Sequence, residues 1–350
     1  MALAAGIKNI LLEKPIANTV EEAEHIIKIC EDAGATLLVG HHRRSSNRYQ
    51  LLRQVIDSGK LGKIVGIQSN YAIAKPHEYF DVEWHTKKGS GPLLINAIHD
   101  FDDLNFVTGM KPTKVYAAAR NTIRGNEVED SVSAVVEYEG GVTASYFVSD
   151  GTPGPWNYDL AAEENTFFTM CPGENSMRVF GTKGSFGFPN MDLYYQDDDA
   201  YGWLQPIKHE HFDVEKNDPM TAELEHFVDL CLGRETTPRC TGDNALDTLK
   251  VINAIQKSAE DETPVKLEGF SLVCFALSTP GKAWLLPLPG YHPTSPGGNY
   301  LPFKSLYYLW GFNTPNHLLA PKVVGVARSP PPSLLKGYCH GNRHQHLRRN

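Results

Sequence analysis

The last 82 of the 350 residues contain no aspartate or glutamate, although the chain holds 41 of them. From Gly269 onward there are 8 of the 33 lysines and arginines and 11 of the 23 prolines, including Pro330-Pro331-Pro332. The stretch before Gly269 therefore carries a net −16 and the tail +8. An acid-free, proline-dense segment without a sustained period is a poor core former and is expected to be disordered. Two origins stay open for it: a basic arm that meets an acidic partner, or a segment foreign to the preceding fold, frame-shifted, intronic or diverged.

Other absences narrow the function. No Gly-x-Gly-x-x-Gly occurs: Gly89-Ser90-Gly91 runs into Pro92-Leu93-Leu94, and Gly181, Gly184 and Gly187 lack the tight first pair. That excludes the usual glycine cradle for a dinucleotide pyrophosphate within this chain. Six scattered cysteines show no metal or redox spacing, which suits a reducing compartment. Cys30 and Cys231 fall on apolar helical faces and read as small core residues. Tyr338-Cys339-His340 with His344 and His346 lacks a partner pair for zinc, so no metal is expected. There is no Gly-x-Ser-x-Gly elbow and no His-Glu-x-x-His. His209-Glu210-His211 reads as a solvated polar segment. No apolar run approaches the length of a membrane span, no signal peptide is visible, and the acidic body argues against nucleic acid. A cytoplasmic protein is expected.

What is present is a βα unit followed by β texture. The run Ile7-Lys8-Asn9-Ile10-Leu11-Leu12 ends on Glu13-Lys14-Pro15. Thr19-Val20-Glu21-Glu22 has the form of a capping box, and Val20, Ala23, Ile26, Ile27 and Cys30 share a helical face. Gly34 stops that helix, and residues 36–39 make a short buried strand. Gly40-His41-His42-Arg43-Arg44 then lies at the same sheet edge as Lys14, the edge where open α/β sheets bind ligands. A linking helix carries Tyr49, Leu52, Val55 and Ile56. Val115–Ala119 and two alternating runs about Gly140-Gly141 are strands, and residues 151–176 read as a long loop. Asp218-Pro219 opens one helix, and Asp243 is expected to cap the last.

Two motifs together carry a resemblance. Strand-Glu13-Lys14-Pro15 is followed by Gly89-Ser90-Gly91-Pro92-Leu93-Leu94-Ile95-Asn96-Ala97-Ile98-His99-Asp100-Phe101-Asp102. The pair resembles the Gfo/Idh/MocA family of nicotinamide-dependent oxidoreductases, over residues 1 to about 268. Overall texture is similar to fungal members that act in quinate utilisation. The resemblance implies an α/β remnant of a dinucleotide-binding (Rossmann) domain over 1–45. It implies an α+β substrate and dimerisation domain with a large open, mainly antiparallel sheet over 46–268, with 269–350 outside the family. The family opens with a strand, Gly-rich turn and helix that this chain lacks, so about 70 residues, two βα units, are expected to be missing. Either the chain is a truncated form or it has given up its cofactor half.

Oxidising an alcohol needs a proton acceptor near neutrality beside the departing hydride, which favours histidine. The family's acid/base role falls on His99. Asn96, His99 and Asp103 are spaced to share a helical face, and Asp102 is in reach to fix the His99 tautomer. Lys14 is the electrostatic partner of the developing alkoxide and, with Glu13, Pro15 and His41, faces the cofactor, NAD or NADP. Arg44 suits a substrate carboxylate. The resemblance also puts Asp102 and Trp84 among the substrate-binding residues; Trp84 precedes the Gly-rich turn as in the family, but His85 stands where an arginine is usual. Ile95 stands where an aspartate is common, so Asn96 is left with substrate positioning. Two readings follow. One is an oxidoreductase of a sugar, cyclitol or cyclic hydroxy acid, homo-oligomeric through the large sheet. The other is a non-catalytic homologue that binds a sugar-like ligand or dimerises, because loss of the phosphate cradle should collapse dinucleotide affinity.

Overall fold

The computed structural model describes residues 2–267 and the short strand at 323–324. A three-stranded sheet holds β1 (Asn9–Glu13) and β2 (Thr36–Gly40), parallel and in register from Asn9↔Thr36 to Glu13↔Gly40, joined by helix α1 (Val20–Asp32). Thr19 Oγ1 accepts from the Glu22 amide while the Glu22 carboxylate accepts from the Thr19 amide, so the capping box forms. The apolar run of β1 is buried at four of its five positions, as a strand covered on both faces requires. The third strand is Val323–Val324, which pairs antiparallel with Leu11 and Leu12. This piece of the acid-free tail thus joins the sheet, where composition argued for disorder. Backbone hydrogen bonding to a strand edge does not require an apolar period. The other expectations for the tail lie outside the described residues.

Helix α2 (Asn47–Asp57) leads into β3 (Ile64–Ala72), and α3 (Ile98–Thr108) follows a long connection. Next come β4 (Pro112–Arg120), β5 (Ser131–Tyr138) and β6 (Thr143–Ser149). The turn between β5 and β6 needs φ of +77° and +81°, which Gly140 and Gly141 adopt without a Cβ penalty. A helical turn, α4 (Tyr158–Ala161), sits inside the stretch expected to be loop. The Asn157 side chain caps it at the Leu160 amide, 2.9 Å away. Then follow β7 (Met177–Gly181), β8 (Gly184–Phe188), β9 (Asp192–Tyr195), β10 (Lys208–His211), α5 (Pro219–Leu232), α6 (Gly242–Asp261) and β11 (Val265–Lys266).

The large sheet has nine strands in the order β10-β9-β8-β7-β3-β6-β5-β4-β11. All its pairs are antiparallel except β3 with β6. Alternation sorts its faces. Val132, Ala134, Val136, Ala144, Tyr146 and Val148 are buried, while Val65, Tyr116, Val135, Phe180 and Tyr194 are exposed. Helix α6 packs on β4, α3 packs on α6, and α2 packs on α3.

Helix α6 also touches α1 and β2. The Val39 amide donates to the Cys240 carbonyl at 3.0 Å, just before α6 begins. A Cβ on Gly242 would stand 2.7 Å from Ile27 and 3.2 Å from Leu37, so glycine permits this approach. One continuous apolar core therefore runs from Ile7 to Ile255. The α6 cap is Thr241, in a capping box with Asn244, and Asp243 sits inside the first turn. The hydroxyl-amide pair starts the helix before Asp243 is reached.

Candidate active site

The parallel register that pairs Glu13 with Gly40 brings the next residues, Lys14 and His41, to the same edge of the small sheet. Lys14 is buried, and its Nζ donates to the Ile95 carbonyl at 2.8 Å. Burial lowers its pKa to about 8; Arg43 and Lys75 act in the same sense and Glu13 opposes them. Ile95 lies in a π-helical turn, Leu93–Ala97, that runs directly into α3. Such turns are rare and recur at functional sites.

His99 is 6% exposed. Burial, then Lys14 and Arg43, hold its imidazole well below the ordinary histidine range, so it is neutral near pH 7. Its Nδ1 makes no hydrogen bond among the described residues. The rings of His42 and His41 meet it edge-on, with centroids 5.1 and 5.9 Å away and interplanar angles of 69° and 79°. Asn96 donates from Nδ2 to Tyr71 Oη at 3.2 Å. Tyr71 donates in turn to Asp159 Oδ2 at 2.7 Å, and Arg43 donates to that same oxygen at 3.2 Å. Since the single Tyr71 proton goes to Asp159, the phenol accepts from the Asn96 amide, and the amide is oriented.

Two expected roles are corrected. Arg44 is not free for a substrate carboxylate. Its Nε and NH2 donate to the two oxygens of Asp102 at 2.7 and 2.8 Å, and its NH1 donates to the Arg239 carbonyl and Asn244 Oδ1 at 3.0 and 3.1 Å. Asp102 does not orient His99. It is 1% exposed, and Thr248 joins Arg44 on its carboxylate. Burial opposes its charge, but Arg44 and His41 hold its pKa below the usual range. An Arg fork locked on a carboxylate inside α6 packing is architecture. Trp84 lies on the short helix Glu83–Thr86, 41% exposed, with its ring against His85. No hydrogen bond or ring contact among the described residues ties it to Lys14 or His99.

The sequence reading missed His42, Arg43, Tyr71 and Asp159. Arg43 is 2% exposed and meets Asp100 at 2.7 Å, Asp103 at 3.2 Å and Asp159 at 3.2 Å. Tyr146 donates to the other Asp100 oxygen at 2.5 Å. The doublets His41-His42 and Arg43-Arg44 were the only signal, and a doublet does not say which member turns inward.

His41, Asp102 and Cys240 offer ligand atoms within 4.8 Å of one another. Both Asp102 oxygens already accept from Arg44, whose fixed charge repels a metal ion there. His209 and His211 lie on edge strand β10, half exposed, and both rings reach one oxygen of Asp192 at 2.7 and 2.9 Å. The expected polar segment is thus a strand.

A family model described as the oxidoreductase family NAD-binding Rossmann fold matches residues 1–41, and the GFO/IDH/MocA C-terminal domain matches residues 49–187. The chain belongs to the Gfo/Idh/MocA oxidoreductase family. Among curated relatives, 1,5-anhydro-D-fructose reductase of Ensifer adhaerens is 29% identical over 188 residues, 53% of this chain and 50% of that protein. The chain thus aligns with half the length of that relative. Inositol 2-dehydrogenase of Rhizobium meliloti is 26% identical over 268 residues, 74% of each chain. The solved WlbA dehydrogenase of Bordetella pertussis, in complex with NADH and UDP-GlcNAcA, matches with a TM-score of 0.56 at 24% identity. The match covers 76% of this chain and 74% of that one, and it shows the fold.

Proposed function

We propose that this Gfo/Idh/MocA chain is an NAD(P)-dependent oxidoreductase acting on a hydroxyl of a sugar, cyclitol or related cyclic hydroxy acid, with quinate among the candidates. The observation that carries the reading is Lys14 held 2.8 Å from the carbonyl of Ile95, one helical turn before His99. A cation and a neutral imidazole thereby share one site at the carboxyl edge of β1 and β2. Inositol, xylose and anhydrofructose oxidoreductases among the relatives support the substrate class.

The fit of a dinucleotide divides in two. Toward the nicotinamide end, Lys14 and His41 line the sheet edge, and buried Asn96 Oδ1 and His99 Nδ1 have no partner among the described residues. Toward the phosphates, the described part of the chain has no Gly-x-Gly-x-x-Gly turn. The α1 N-terminus is closed by its own capping box, and the Glu22 carboxylate there repels an anion. A nicotinamide held beside Lys14 and His41 would supply the hydride acceptor or donor. His99, kept neutral, accepts the hydroxyl proton of the alcohol. Lys14, charged below about pH 8, stabilises the alkoxide. Asn96, fixed by Tyr71, positions a substrate hydroxyl. Cytoplasmic location and association through the exposed sheet face belong to the same reading. That face presents Tyr116 directly opposite Val135.

A second reading is favoured by the missing Gly-x-Gly-x-x-Gly: a non-catalytic module that binds a polyol or dimerises. Fluorescence titration of the full chain with NADH and NADPH separates the two. The first reading expects saturable binding. No binding at millimolar cofactor would contradict it and leave the second.

A further inference from the structure

General bases of this kind are ordinarily aimed by a carboxylate or carbonyl that holds the second ring nitrogen. Around His99, each α3 carboxylate is engaged elsewhere. Asp102 is locked by Arg44 and Thr248. Asp100 is held by Arg43 and Tyr146. Asp103 faces Arg43, and the Asn96 Nδ2 is spent on Tyr71 while its Oδ1 makes no hydrogen bond to His99 or to any other described residue. Position 95 is isoleucine. His99 Nδ1 is buried without a partner among the described residues. Among the described residues, the rings that meet it are a pair of imidazoles from the turn after β2. His42 lies at 5.1 Å and 69°, His41 at 5.9 Å and 79°. Both geometries are edge-to-face, the arrangement aromatic rings favour.

We propose that His41 and His42 are positioning residues whose edge-to-face contacts grip the His99 ring and set its plane, in place of a hydrogen-bonding carboxylate. The grip requires uncharged rings, because three imidazolium ions cannot share this space. Burial and the neighbouring cations Lys14, Arg43 and Arg44 keep His41 and His42 neutral, against Asp102 and Asp159. His41 is 2% exposed and braced by the sheet edge, whereas His42 is only partly buried. His42 is therefore the member that can be replaced without emptying the core.

The role of this pair deepens the oxidoreductase reading, and only its kinetic arm rests on that reading. The direct test is 13C relaxation of the ring of His99 in histidine-labelled full-length protein, with its signal assigned by its loss in His99→Gln. His42→Leu should raise ring mobility, and His42→Phe, which restores an aromatic face, should return it to the parent value. Equal His99 mobility in the parent and His42→Leu would overturn the proposal, provided thermal unfolding shows both folded. In turnover, His42→Leu should lower kcat by about two- to tenfold, the size of one such contact, with KM unchanged and His42→Phe recovering the rate. A KM change alone would overturn it by making His42 a substrate contact. If the parent fails to turn over, the oxidoreductase reading falls while the relaxation result still decides the grip.

Discussion

At the scale of single residues, the doublet Arg43-Arg44 shows what a linear reading reaches. The position beside the active edge was legible, but not the partner of each guanidinium, because that depends on α3, α4 and α6, 57 to 200 residues away in sequence. Arg44 is 4% exposed and bidentate on Asp102. Arg44→Ala would leave that carboxylate buried and uncompensated, at a cost of about 3–5 kcal/mol. The denaturant midpoint should fall accordingly. An unchanged midpoint with weaker substrate binding would restore Arg44 to the substrate role first read for it. Lys14 and His99 were legible because each stands inside a motif, next to a strand end or a Gly-rich turn. Tyr71 and Asp159 carried no such mark: one is an aromatic in a strand, the other an acid in a loop-like stretch.

Helix α3 concentrates charge that the core must tolerate. Asp100, Asp102 and Asp103 are all buried, and Arg43 and Arg44 provide the facing cations. Burial raises Asp103 to about 8 and Asp100 to about 6, against the pull of Arg43. Both raised values mean that the native state keeps protons that the unfolded chain, with carboxyls near 3.8, has released. The stabilisation contributed by these two carboxyls should therefore fall as pH rises through about 4 to 8, while the lowered pKa values of His41, His42 and Lys14 act in the opposite sense. Asp103→Asn isolates the larger share: in thermal unfolding the parent's midpoint should fall relative to the variant's between about pH 4 and 8, and a difference that does not change with pH would refute this reading. The elements themselves were mostly legible. The hairpin about Gly140-Gly141, the Thr19–Glu22 box and the Pro219 helix start all stand where local chemistry put them. The π turn before α3 was not, because no local residue preference marks an i→i+5 turn. The small helix at 158–161 was hidden by the Gly, Pro and Asn around it.

For the whole molecule, two sheets share one core, and α6 joins them by packing on β2 and α1 on one side and on β4 on the other. That packing holds the β1 edge, with Lys14, against the α3 start, with His99. The two-sheet architecture was legible from the change of period near Ile64. Its closure through α6 was not, since it depends on glycine at 242 and on long-range backbone contact. These two side chains are proposed to act on one alcohol oxygen. The most direct measurement is the initial rate of NADH or NADPH formation from myo-inositol by the full chain and by its His99→Gln and Lys14→Ala variants. The account predicts turnover by the parent and a loss of about a hundredfold or more in each variant. Variants as fast as the parent, or a parent that forms no reduced cofactor, would contradict it.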